Sequence, residues 1–136
     1  MKSVKDVLFG SNSIDIALLI FRLFFGITMA VAHGLPKLQR FAEIHATFPD
    51  PLGIGSSASL GMAIFAEIAC AFGVAAGLLF RLSLVPLVIT MFVAAFVIHG
   101  QDPFQKQELA LSYLAAYVAM LFSGPGRYSL DFLSRR

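Results

Sequence analysis

The sequence predicts an all-α integral membrane protein, a four-helix bundle that crosses the bilayer four times and keeps both termini inside the cell. Three observations predict it: an apolar composition, four apolar stretches near spanning length, and an uneven distribution of Lys and Arg. Of the 136 residues, 58% are hydrophobic and 13% charged, with a mean hydropathy of +0.82. A soluble domain carries about 25% charged residues. A chain this apolar has too little polar surface to face water on all sides, so lipid is its predicted solvent.

The apolar stretches place helices over residues 14–32, 60–79, 82–98 and 105–122. A spanning helix needs about 20 residues. The first two stretches fit and the third is at the short end. The fourth is apolar only from Leu109 and reaches spanning length if it begins near Phe104, so three spans is the alternative. Turn-forming residues support the divisions. His33-Gly34-Leu35-Pro36 ends the first helix, and Pro49, Pro51, Gly53 and Gly55 mark a loop. Arg81 leaves only a tight hairpin between the second and third helices. Gly100 to Pro103 ends the third, and Gly124-Pro125-Gly126 ends the fourth. Small residues on one face, Ala69, Gly73 and Gly77 on the second helix and Gly26 and Ala30 on the first, suit close helix packing in lipid.

Orientation follows from basic residues in the short flanks. With the N-terminus inside, Lys2, Lys5, Arg81, Arg127, Arg135 and Arg136 lie inside and Lys37, Arg40 and Lys106 outside, six against three. Ala30-Val31-Ala32 has the form of a signal-peptidase site, but the long apolar run and Arg22 within it predict an uncleaved helix. The single cysteine, Cys70, excludes an internal disulfide and a Cys-x-x-Cys pair. A net charge of +2 without a basic run gives no ground for nucleic acid.

Charged groups in the hydrocarbon region are costly and need partners. At about 1.5 Å per residue, Arg22 lies about 16 Å below His33 and Glu67 about 10 Å below the outer start of its helix. The two are therefore expected to meet inside the bundle. His33 and His99 close helices that end outside, Lys37 follows His33 by four residues, and Glu108 opens the fourth helix on the same side. Arg22, His33, Lys37, Glu67, His99 and Glu108 are thus candidate ligand-binding residues around an outward-facing pocket, with Tyr113 below its rim. Arg81 is expected to mark a cytoplasmic turn and to pair with Asp15. Each residue also has a plain structural reading: an ion pair fixing helix register, interfacial histidines, solvated charges at helix ends.

A quinone head group needs hydrogen-bond donors at its carbonyls, a proton relay and an apolar slot for its tail, which such a cluster supplies. Haem is the less favoured alternative, since its two histidine ligands would sit at helix ends. No compact ligand spacing points to a metal.

The residues also carry a resemblance. Arg22-Leu-Phe-Phe-Gly26, His33-Gly34-Leu35-Pro36-Lys37, Glu67 after Ala66, Gly77-Leu78-Leu79-Phe80-Arg81, residues 91–99 and the closing Gly124-Pro125-Gly126-Arg127-Tyr128-Ser129-Leu130-Asp131 resemble the DoxX family of small bacterial membrane proteins. The likeness spans residues 16–132, and the closing motif is its most specific part. The resemblance implies a four-helix fold and a link to respiratory quinone chemistry. It also implies oxidative and thiol stress, with soluble redox enzymes as partners.

The leading expectation is a bacterial inner-membrane protein with a quinone- or redox-linked role, as a subunit of a membrane complex or a homo-oligomer. The alternative is a non-enzymatic membrane scaffold or assembly partner. A small transporter or ion-conducting oligomer ranks below both, because the tight hairpin leaves little room for inverted repeats.

Overall fold

The computed structural model describes Ser3, Val4 and residues 10–135. Lys2, Lys5 and Arg136, used above for orientation, lie outside the described residues. Among those residues there is no strand. The long helices are α1 (Asn12–Gln39), α2 (Ser56–Ala76), α3 (Phe80–Ile98) and α4 (Phe104–Ser123). Two short helical turns, Phe41–Ile44 and Leu130–Leu133, follow α1 and α4. Three helices, α1, α2 and α3, are long and apolar enough to cross a membrane. α4 has 20 residues but opens on Gln105, Lys106, Gln107 and Glu108.

α1 packs antiparallel along α2, α3 along α4, and α4 also touches α1. The core gathers Met29, Val74, Phe80, Leu84, Leu87, Met91, Tyr113 and Tyr117. Tyr117 donates from its hydroxyl to the Phe25 carbonyl at 3.1 Å, which satisfies a buried polar group and ties α4 to α1. Ile14, Ile20, Phe24, Val31, Phe65, Phe72, Leu82, Ile89, Phe92 and Phe96 all face outward. An apolar exterior on every spanning helix is the surface a bilayer covers. The chain is a multi-pass membrane protein.

Contrary to expectation, the first helix does not end at His33-Gly34-Leu35-Pro36. A π-helical turn over Ala30–Gly34 widens it, the Leu35 amide reaches back five residues to Ala30, and helical backbone runs on to Gln39. Pro36 directly follows this turn, where the regular four-residue ladder is already broken, and a proline is tolerated in the opening turn of a helix. Two more wide turns lie at Phe65–Cys70 in α2 and Val93–Ile98 in α3. Such single wide turns cluster at functional sites.

The α1–α2 seam also differs from the expected stripe. A Cβ on Gly26 would stand 2.6 Å from the Ala71 carbonyl oxygen, and one on Gly34 would stand 2.9 Å from that of Glu67. Gly26, Ala30 and Gly34 therefore meet the face of Glu67, Ala71 and Ala75. Gly73 faces Ser83 across the hairpin instead. Gly77 takes φ +68° to make the turn, a backbone conformation that side chains resist.

Residues 124–131 fold back across the end of the bundle where α1 begins and α4 ends. The Ser129 hydroxyl donates to the Gly126 carbonyl at 2.7 Å and accepts from the Phe132 amide at 3.2 Å. The Asp131 carboxylate accepts from the Leu79 and Phe80 amides, each at 2.8 Å, and so caps the start of α3.

Candidate functional site

At the opposite end, where the long loop between α1 and α2 lies, a cavity of about 480 Å3 opens between α2 and α3. Its walls are Met62, Ala63, Phe65 and Ala66 on one side and Pro86, Ile89, Val93 and Ala94 on the other, with Phe48, Pro49, Pro51, Leu52 and Ile54 over it. Lys37, Glu67 and His99 provide its ionisable groups. Such a volume lies within the range of small-molecule pockets, which are mostly apolar with a few placed polar groups.

Glu67 is buried on the wide turn of α2. Its carboxylate accepts from the Lys37 ammonium at 2.7 Å, and the Lys37 side chain is about a quarter exposed. The packing sets this geometry. Gly34 brings α1 against Glu67, and Lys37 stands one turn further along. His33 is within electrostatic reach of both but does not line the cavity. Its ring meets Tyr113 edge-on, centroids 5.5 Å apart.

His99 holds the rim. Its Nδ1 lies 2.7 Å from the Asp102 carboxylate, and Gln107 donates to the His99 carbonyl at 2.6 Å. The hydrogen bond to His99 keeps the Asp102 carboxyl below its ordinary value, and Lys106 adds to the effect. An ionised Asp102 can only accept, so Nδ1–H is the donor of this hydrogen bond and Nε2 takes no part in it. The covering loop is held by Asp50. Its carboxylate accepts from the Ile54 and Gly55 amides at 3.0 and 2.8 Å and from the Ser59 hydroxyl at 2.9 Å. Those bonds, the Gly55 amide foremost, lower the Asp50 carboxyl.

Three of the six candidates, Lys37, Glu67 and His99, share this cavity. Arg22 and Glu67 do not meet. The seam register explains why: Gly34 is level with Glu67, and Arg22 lies twelve residues back, about 18 Å along the helix. Arg22 instead faces the turn after Ala75. There its Nη2 donates to the Tyr128 carbonyl, and its Nη1 fills the space a Gly77 side chain would take. Among the described residues Nε and Nη1 have no hydrogen-bond partner, although Arg22 is only 2% exposed. Glu108 is exposed on α4, outside the cavity. Asp15 pairs with Arg127 at 3.5 Å, not with Arg81, whose Nε donates to the Leu121 carbonyl at 3.2 Å.

Sequence reasoning missed Asp102 and the loop roof. The signal for Asp102 was its place three residues after His99 across Gly100. Of the two histidines expected at the outer rim, His99 lines this cavity and His33 does not. Among the described residues no three His, Cys, Asp or Glu side chains gather as a metal would need.

No curated protein and no solved structure matches the chain. The DoxX family model matches residues 17–100, from early α1 through the end of α3, which is more than half of the chain. The matched stretch contains the Gly34–Glu67 contact, the Lys37–Glu67 pair and His99, and by this match the chain belongs to the DoxX family.

Proposed function

We propose that the cavity binds the head group of a quinone, and that the protein serves as the quinone-binding subunit of a redox-linked complex in a bacterial inner membrane. The supporting observation is the pairing of an apolar slot with two polar ends, Lys37–Glu67 and His99–Asp102. Lys37 would donate to a ring carbonyl while Glu67 holds the ammonium in place. His99, with Nδ1 engaged by Asp102, would exchange a proton at Nε2. A bound quinone supplies the two-electron chemistry, and electrons would pass to or from a redox enzyme partner. In this reading α4 completes a four-span bundle with both termini on the cytoplasmic side.

The test is equilibrium binding of a short-chain quinone to the purified protein in lipid nanodiscs. Lys37→Met and His99→Ala should each weaken binding by about tenfold, the loss of one hydrogen bond at ~1.4 kcal/mol. Glu108→Gln should bind like wild type. Equal binding by all three variants would sink the site.

The scaffold reading is favoured by one observation, the Gly34 contact that places the Lys37–Glu67 pair on a helix seam, where it would pin register. It predicts lost yield, not lost quinone, when the pair is broken.

A further inference from the structure

A second cleft, about 460 Å3, lies at the end of the molecule where α1 begins and α4 ends, between the Leu79–Leu82 turn and the folded-back tail. Arg81, Arg127 and Arg135 line it, together with Asp15 and Asp131. Both carboxylates are already engaged. Asp131 takes the Leu79 and Phe80 amides, and Asp15 takes the Arg127 amide at 3.0 Å and its guanidinium at 3.5 Å. Arg81 spends one N–H on the Leu121 carbonyl. All three arginines are exposed, and among the described residues the contacts of the Arg81 and Arg127 guanidiniums are made through Nε. Beside them Leu79 is 61% and Leu82 67% exposed, on the apolar exterior that faces lipid.

We propose that this cleft binds the phosphate of an anionic phospholipid in the adjoining leaflet. Guanidinium forks match phosphate oxygens in bidentate geometry. Basic pockets between spanning helices recognise acidic head groups. The exposed leucines provide the acyl-chain contact that a free phosphate would not need. The assignment is independent of the quinone reading, since the two cavities lie at opposite ends.

Native mass spectrometry of the detergent-purified protein, with phosphatidylglycerol, phosphatidylcholine or glycerol 3-phosphate added, tests it. Wild type should retain phosphatidylglycerol preferentially. Arg81→Gln with Arg135→Gln should weaken retention about thirtyfold, equivalent to ~2 kcal/mol at ~1 kcal/mol per basic group. Arg40→Gln at the far end should not. Both sites are exposed, so circular dichroism should show folded variants. Unchanged retention in the double variant would overturn the site, as would equal retention of phosphatidylcholine. Equal retention of glycerol 3-phosphate would overturn its assignment to lipid.

Discussion

The Lys37 ammonium reaches the Glu67 carboxylate at 2.7 Å because Gly34 lets α1 lie against the backbone of Glu67 itself. The pair is a product of helix packing, not only of charge.

Breaking one side should therefore be worse than removing both. Glu67→Leu leaves the Lys37 ammonium without a counter-ion, and Lys37→Met strands a buried carboxylate. Loss of one partner from a buried pair costs about 3–5 kcal/mol, and the exposed quarter of Lys37 places these variants at the lower end. The double variant Lys37→Met/Glu67→Leu should recover most of that in thermal melts. No recovery would mean that the ion pair is not the dominant interaction there.

Gly53 and Gly77 have nearly the same φ, +69° and +68°, but a Cβ on Gly53 meets open space whereas one on Gly77 meets Arg22 and Ser129. Gly53→Ala should cost only the left-handed backbone penalty, about 1–2 kcal/mol. Gly77→Ala should cost that and the clash, measured as a larger fall in melting temperature. Equal effects would place Arg22 away from the turn.

Arg22→Met should separate local from global stability. The substitution removes two buried nitrogens that have no partner among the described residues, each a penalty of about 1–3 kcal/mol, so melting should hold or rise. The bond to the Tyr128 carbonyl is lost as well. Amide exchange over residues 124–131 should then quicken at least several-fold. Exchange unchanged from wild type would show that other contacts hold the tail.

Asp102 gives a pH prediction with a definite sign. Its folded pKa is depressed from the ordinary 3.8 by the hydrogen bond to His99. The contact is therefore fully present above 3.8 and is lost only as pH falls through the lower folded value. An infrared difference spectrum against Asp102→Asn should show the protonated-carboxyl band of this residue less than half developed at its ordinary titration point. A band half developed or more at that pH would contradict the contact.

The apolar runs made the helices of α1–α3 legible, because length and hydropathy are local properties. The closing motif was noted only for its family likeness, and the family match ends at residue 100, before it; its cap on α3 through Asp131 was not read from the sequence. The expected Arg22–Glu67 meeting was wrong. It depended on counting depth from presumed helix ends, and both ends moved: α1 ran on past Pro36 through a wide turn, and α2 began at Ser56. Register was written instead in Gly26 and Gly34, whose close approaches fix which residues face each other. His99 and Lys37, expected on one side of the membrane, both line the cavity. Asp102 was missed, since a turn was treated only as a helix stop.

The folded-back tail has a consequence for how the molecule is made. α1 enters the bilayer long before residues 124–131 are synthesised, so the Arg22 guanidinium is inserted with the Tyr128 carbonyl not yet in existence. Until the tail arrives, Arg22 must find water or lipid head groups at that end of the bundle. Stopping translation before Gly124 would leave the spans inserted with one arginine still seeking a partner, a species that membrane quality control could distinguish from the finished fold.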